Sequence, residues 1–294
     1  MQTTPKSWQT WIKIAASTLL VALAPAAAQA QQAELRIGLI PSEDAQAMIR
    51  ASQQVMDQLA DKTGMKVRPF VANDYNGVIE ALRSGKLDIA YLGPFSYVLA
   101  AEVAQAEAFA VAVTKKTGKS AYHGIVITRR DKGLDSVAKL KGRSFSFVDP
   151  TSASGHLFPK AGLMTDGFDP DKHFSRVIFS GSHDANIMAV ANNKVDGAAV
   201  ADRIFESAVA KGVVKADDFN IVWRSQPIPE SPMVWRKGLD AATKQKVAAA
   251  MSDIKDLPWG DQGVLNGFSP TTDQAYDVVR QTAKTLQLDL GRMK

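Results

Sequence analysis

The chain contains no cysteine. Disulfides, thiolate metal sites and a lipid-modified cysteine are therefore excluded, and stability has to come from a core that this length can supply. The histidines, His123, His156, His173 and His183, form no HxH or HExxH spacing. Without thiolates or that spacing, a metal centre has no signature. A GxSxG nucleophile elbow and a GxxxxGK[ST] phosphate loop are also absent. Ser154 with a distant His and Asp could make a triad, but any chain this long holds those residues. An exported hydrolase is thus a competing reading without a motif. Blocks of like charge are missing too; Lys and Arg are interleaved with Asp and Glu at a formal charge of +5. This favours an ordinary solvated surface over a nucleic-acid or membrane patch.

Long apolar runs are lacking, with one exception. Ile14 to Leu23 is apolar but shorter than the roughly 20 residues a membrane span needs. Lys6 and Lys13 lie around its start and Ala28-Gln29-Ala30 follows it, so residues 1–30 read as an export leader cleaved after Ala30. Cleavage would leave Gln31 as the first residue and remove two of the positive charges. The expectation is a soluble, monomeric protein of the bacterial periplasm, built as one large or two modest domains.

Past the leader, strands and helices alternate. Glu34 to Ile40 reads as a strand ending in the turn Pro41-Ser42-Glu43-Asp44, and a helix is predicted from about Ala45 to Thr63, ended by Gly64. Lys66 to Val71, Tyr75 to Ser84 and Leu87 to Leu92 read as strand, helix and strand, followed by Gly93-Pro94 and another helix. A second unit has strands at Ser144 to Val148, Arg176 to Phe179, Val195 to Val200 and Asn220 to Trp223, with a helix from His183 to Asn192. Residues 239–256 and 272–287 read as amphipathic helices. This alternation implies parallel, helix-covered sheets, whose ligands sit at the carboxyl ends of the strands. Ser42, Tyr75 and Gly93-Pro94 all fall there.

The stretch Asp149-Pro150-Thr151-Ser152-Ala153-Ser154-Gly155-His156 joins a strand to the start of a helix. Backbone N–H groups, the helix dipole and hydroxyl donors together make such a turn an anion cradle. It holds no Lys or Arg, so the donors would be neutral. The plain alternative is an N-cap turn, where Ser, Thr and Asp are common for capping alone. Taken alone, His183 reads as a capping or core histidine, and Tyr75 and Tyr122 as core aromatics. Asp44 and Asp184 read as solvated helix-start carboxylates, or as proton acceptors for a monoprotonated ligand.

In these segments the chain resembles the phosphonate and phosphite uptake family of periplasmic binding proteins, the soluble receptors of ABC importers. The matching stretches are Gly38 to Asp44, Asn73-Asp74-Tyr75 with Leu87 to Pro94, Asp149 to Gly155, and Ser180-Gly181-Ser182-His183-Asp184-Ala185-Asn186. The tail Pro227 to Arg236 also fits. The stretches around Pro41 to Asp44 and Asn73 to Tyr97 are most similar to phosphite-type receptors.

The resemblance implies an α/β, two-lobed binding protein of type II, each lobe a helix-covered, mainly parallel sheet, with two interlobe crossovers. Lobe 1 would be 31–126 plus 234–294, and lobe 2 would be 127–233. It implies no catalysis, no cofactor and no metal. The partners would be a small phosphorus oxyanion and an ABC permease. The ligand-binding positions would fall on Tyr75, Tyr122, Ser152, Ala153, Ser154 and His183. Ala153 stands where the family commonly has Thr, which removes a hydroxyl but keeps the backbone N–H. Family members that take amine-bearing phosphonates carry acids against the ammonium; this chain has Arg203 and Ser231 at the positions aligned with them. That departure points to phosphite, methylphosphonate or hypophosphite. A receptor for an aminoalkylphosphonate, or for another oxyanion such as phosphate, sulfonate or molybdate, is the alternative, as is a sensor subunit.

Overall fold

The computed structural model describes residues 33–115, 118 and 121–293; the leader read over residues 1–30 and its cleavage point lie outside them. β1 (Glu34–Leu39) leads into α1 (Ala45–Thr63). Asp44 caps that helix by accepting the Ala47 N–H at 2.8 Å, and Gly64 ends it at a left-handed φ of 66°. β2 (Lys66–Val71), α2 (Tyr75–Arg83), β3 (Ile89–Tyr91), α3 (Pro94–Ala104) and β4 (Glu107–Thr114) follow. The chain crosses at β5 (Ala121–Tyr122) into β6 (Gly124–Arg129), β7 (Ser144–Phe147), α4 (Phe158–Thr165), α5 (Pro170–His173) and β8 (Arg176–Phe179). α6 (His183–Ala191), β9 (Gly197–Ala201), α7 (Asp202–Ala210) and β10 (Phe219–Arg224) complete that region. It returns through β11 (Ile228–Pro229) to β12 (Pro232–Trp235), α8 (Ala241–Asp253), β13 (Leu265–Pro270) and α9 (Asp277–Thr285).

Two sheets define two lobes. The first runs β13-β4-β12-β3-β1-β2 and the second β10-β6-β9-β7-β8. Between them, β5 and β11 pair only with each other, Tyr122 opposite Ile228 and Ala121 opposite Pro229. The two crossovers therefore lie side by side as one ribbon. The expected boundaries at 126 and 234 fall inside β6 and β12; the passage between sheets lies a few residues earlier on each pass.

Both sheets are mixed rather than mainly parallel. β1 pairs in parallel with β2 and β3, and β7 with β8 and β9, as the strand-helix alternation requires. β12 comes back from the second lobe and inserts antiparallel between β3 and β4, and β13 adds antiparallel outside β4. β6 and β10 extend the second sheet in the same antiparallel way. No helix among the described residues is long and apolar enough to cross a membrane.

The core follows from the helix faces. Met48, Val55, Met56 and Leu59 of α1 bury against Leu35, Ile37 and Leu39 of β1 and against Val247 and Met251 of α8. On the other side, Val78, Ile79 and Leu82 of α2 join a cluster that continues through Phe95 and Val98 of α3 into Val148, Leu157 and Phe158 of the second lobe. A core shared across both lobes means the lobes are closed on each other. α9 adds to this, packing on α3 of the first lobe and on α4 of the second.

Candidate functional site

The serine turn is where the second lobe offers donors. Ser152 caps a π-helical turn over Ala153–Leu157, its Oγ accepting the Gly155 N–H at 3.0 Å. Its own hydroxyl hydrogen remains available for donation. The first N–H groups of such a turn, at Ala153 and Ser154, have no acceptor within the helix. Asp149 pins the front of the turn by accepting the Thr151 N–H at 2.7 Å and the Thr151 hydroxyl at 2.8 Å. The turn is packed without slack. A Cβ on Gly155 would collide with Val148 and sit 2.8 Å from Ser152 Oγ, and one on Gly124 would sit 2.9 Å from the Ser154 carbonyl oxygen.

The first lobe and the crossover supply the facing groups. Tyr75 is the first residue of α2, placed there by the Asp74 cap, and is buried. Its phenol lies within hydrogen-bonding reach of Ser152. Tyr122 of the crossover strand β5 lies within reach of Ser154. Burial pushes the Tyr75 phenol well above its usual range, and the Tyr122 phenol up to about 12 against the pull of Arg203. Both are therefore neutral donors at physiological pH.

His183 opens α6, where Ser182 is the cap. Its Nδ1 accepts the Ala201 N–H at 3.0 Å, so the ring proton sits on Nε2. Burial first, then the charge of Arg203, lowers its pKa to about 3. The compensating positive charge expected of a protonated His183 is thus withheld: the ring acts as a neutral N–H donor. Tyr75 meets Ser152 and Tyr122 meets Ser154, with Ala153 between the two serines; His183 shares with both tyrosines the nearby charge of Arg203, and all six residues are buried.

Two charged residues stand beside this cradle that sequence reasoning did not join. Arg203, in the first turn of α7, lies over the Tyr122 ring at 4.6 Å from its centroid. Its Nε is 3.5 Å from Glu230 Oε1, and the two side chains are 17% and 3% exposed. Glu230 Oε2 accepts the Ser231 N–H at 3.2 Å and Gln262 Nε2 at 3.2 Å. Gln262 Nε2 also reaches the Tyr91 hydroxyl at 2.7 Å. Burial pushes the Glu230 carboxyl up while Arg203 opposes it; burial likewise opposes the guanidinium, but Glu230, then Tyr91 and Tyr122, keep it firmly charged. In the sequence Arg203 stands out only as a departure from the family pattern, and Glu230 only as part of the matching tail Pro227 to Arg236.

Other candidates resolve into structural roles. Ser42 is buried and its carbonyl accepts the His183 N–H at 2.9 Å; Asp184 Oδ2 accepts the Asp44 N–H at 2.8 Å. Ser96 Oγ donates to the Thr151 carbonyl at 3.1 Å, and the Tyr75 N–H donates to Asp149. Each of these bonds joins the two lobes; Asp44 contributes its backbone N–H while its exposed carboxylate stays at the start of α1, as expected, and only the Asp184 carboxylate acts across the seam. His156, the histidine next to the serine turn, spends Nδ1 on the Pro150 carbonyl at 2.9 Å, and burial lowers its pKa to about 4. His123 Nδ1 lies 2.8 Å from the Ser225 carbonyl oxygen. Neither ring is arranged as a base for Ser154, and no group of three or more potential metal ligands occurs among the described residues.

The chain is similar to known proteins over most of its length. A family model described as the periplasmic substrate-binding protein of a phosphonate ABC transporter matches residues 37–276. The phosphonates-binding periplasmic protein of Escherichia coli is 32% identical over 275 residues, covering 90% of this chain and 80% of that one. The phosphate-import protein PhnD of Mycolicibacterium smegmatis is 28% identical, covering 84% of each chain. The crystal structure of a binding component of a phosphonate ABC transporter from Pseudomonas aeruginosa superposes with a TM-score of 0.80 at 29% identity, covering 87% of each chain.

Proposed function

The chain belongs to the periplasmic substrate-binding proteins of phosphonate ABC transporters, and we propose that its ligand is a small phosphorus oxyanion without an amine: phosphite, methylphosphonate or hypophosphite. The ligand is caught between the lobes and handed to the permease of an ABC importer. The observation that supports this reading is the pairing of buried, neutral Tyr75 with Ser152 and of buried, neutral Tyr122 with Ser154 of the serine turn, with His183 a neutral N–H donor near the same Arg203.

An oxyanion that must later be released is well served by such a set. A hydrogen bond to a charged group contributes about 1.5–3 kcal/mol. About five of them, less ordering and desolvation costs, support micromolar or tighter binding. The positive charge of Arg203, which lies against Tyr122 of the cradle, argues against an amine on the ligand.

A second reading, inorganic phosphate, is favoured by the name of the mycobacterial relative. Isothermal titration of the protein from Gln31 at pH 7 separates the readings. Tight binding of phosphite or methylphosphonate with weak phosphate binding supports the first. Phosphate as the tightest ligand installs the second, and 2-aminoethylphosphonate as the tightest refutes the argument from Arg203.

A further inference from the structure

We infer that Asn186 is the positioning residue of the cradle: its side-chain amide ties the strand that leads into the serine turn to the strand that holds the His183 ring, and so sets one against the other. This rests on the phosphorus-oxyanion reading above and adds to it a residue that acts through its neighbours. Asn186 is fully buried on α6, one turn after His183 and on the same side of the helix. Its Nδ2 donates to the Ala199 carbonyl of β9 at 2.8 Å and to the Ser146 carbonyl of β7 at 3.2 Å. Both partners are carbonyl oxygens, so the amide can sit only one way round.

The place of these bonds gives them their consequence. β7 and β9 run parallel, and their pairing ends at Ser146 opposite Ala198. From there β7 continues to Val148, whose N–H donates to the Gly155 carbonyl at 3.0 Å, and on into the serine turn. β9 continues to Ala201, whose N–H donates to His183 Nδ1 at 3.0 Å. Asn186 bridges the two strands where their own pairing stops. It also puts a second side chain of α6 on β9, so that His183 and Asn186 together grip Ala201 and Ala199. Nothing local asks for asparagine here. It is a poor residue for a helix interior, and the neighbouring buried residues of α6, Ile187 and Val190, are apolar. Without the amide, the end of β9 can shift against α6. Nδ1 then loses its fixed donor, and the ring proton is no longer confined to Nε2.

The experiment joins nitrogen-detected NMR of the His183 ring in ligand-free protein to calorimetric titration with phosphite and methylphosphonate, both at pH 7. Asn186→Leu keeps the bulk of the side chain and removes its donors. Its His183 ring should divide between the Nδ1–H and Nε2–H forms, where the wild type shows Nε2–H alone. Affinity for the better of the two ligands should fall by roughly tenfold or more. An Asn186→Leu protein that keeps either the wild-type ring spectrum or the wild-type affinity, whatever its melting temperature, overturns the inference and leaves the receptor function standing. Wild-type protein that binds neither ligand overturns the reading beneath it instead. If Asn186→Leu fails to fold, Asn186→Gln decides, because it keeps both donors but sets them one methylene further out. An altered ring spectrum with weakened binding supports the assignment, and wild-type behaviour in either measurement overturns it.

Discussion

The Nδ1 of His183 is occupied by the Ala201 N–H, and that bond decides how the ring meets an anion. With the folded-state pKa near 3, far below the ordinary value of 6.5, the imidazole is neutral through the physiological range. A depressed histidine stabilises the fold in full above its unfolded pKa, and that contribution is lost as pH falls from about 6.5 toward 3. His156, near 4, acts in the same direction. Nitrogen-detected NMR should therefore show both rings neutral at pH 5.5 with the His183 proton on Nε2, and the denaturation midpoint should fall steadily below pH 6. A His183 resonance that titrates near 6.5 would contradict this. His183 became a site candidate through the resemblance of Ser180 to Asn186 to the family; taken alone it reads as a capping or core histidine. The Arg203–Glu230 pair was not legible in the sequence, because the partners sit on α7 and on the chain beyond β11. Their meeting depends on the crossover ribbon that brings those elements together. A buried glutamate leaves no mark in a sequence until its partner is known.

At the scale of elements, the serine turn does two jobs that substitution can separate. Ser152 Oγ is both the helix cap, through the Gly155 N–H, and the neighbour of Tyr75. Ser154 faces Tyr122, and the cap bond belongs to Ser152. Ser152→Ala should thus lower stability by about 0.5–2 kcal/mol and weaken ligand binding as well. Ser154→Ala should weaken binding by roughly tenfold or more with a melting temperature close to wild type. Equal losses of stability in the two variants would show that the division of labour is wrong. Elements with caps and clean periodicity were readable in advance. α1 matches its expected span because Asp44 and Gly64 bracket it, and β8 matches because its short run is isolated by polar turns. β12 and β13 were not read as strands. β12 is a run of four residues between prolines and charges, and β13 contains Gly267 and Pro270. β12 becomes a strand by pairing with both β3 and β4, and β13 by pairing with β4, which is a tertiary cause that local pattern does not carry.

At the scale of the whole molecule, the passage between the lobes and the proposed cradle share a residue. Tyr122 belongs to the crossover ribbon and to the cradle at once, so an anion that draws on its phenol also acts on the hinge. At the far rim, closure brings the turn Ser42-Glu43-Asp44 against α6, with the Asp44 N–H on Asp184 at 2.8 Å and the His183 N–H on the Ser42 carbonyl at 2.9 Å. Glu43 lies in that seam. Burial and then the Asp184 carboxylate push its pKa up to about 7, while Arg203 and Lys211 pull it back and Asp44 adds to the rise. An open form that withdraws α6 and α7 from Glu43 would remove these causes and return the carboxyl toward its ordinary value of 4.5. The closed form therefore binds a proton that the open form releases. Closure should be favoured at low pH, weaken as pH rises through the window from about 4.5 to 7, and level off above it. Since capture requires closure, affinity should follow, by at most about tenfold per pH unit inside that window. Hypophosphite is the probe for this measurement, because its own charge does not change. Its titration at pH 5.5, 6.5 and 8 should show weakening affinity in the wild type, and Glu43→Gln, neutral throughout, should give one affinity at all three, above the wild-type value at pH 5.5. A wild-type curve as flat as that of Glu43→Gln would remove Glu43 from the closing equilibrium and leave the seam to its backbone hydrogen bonds alone.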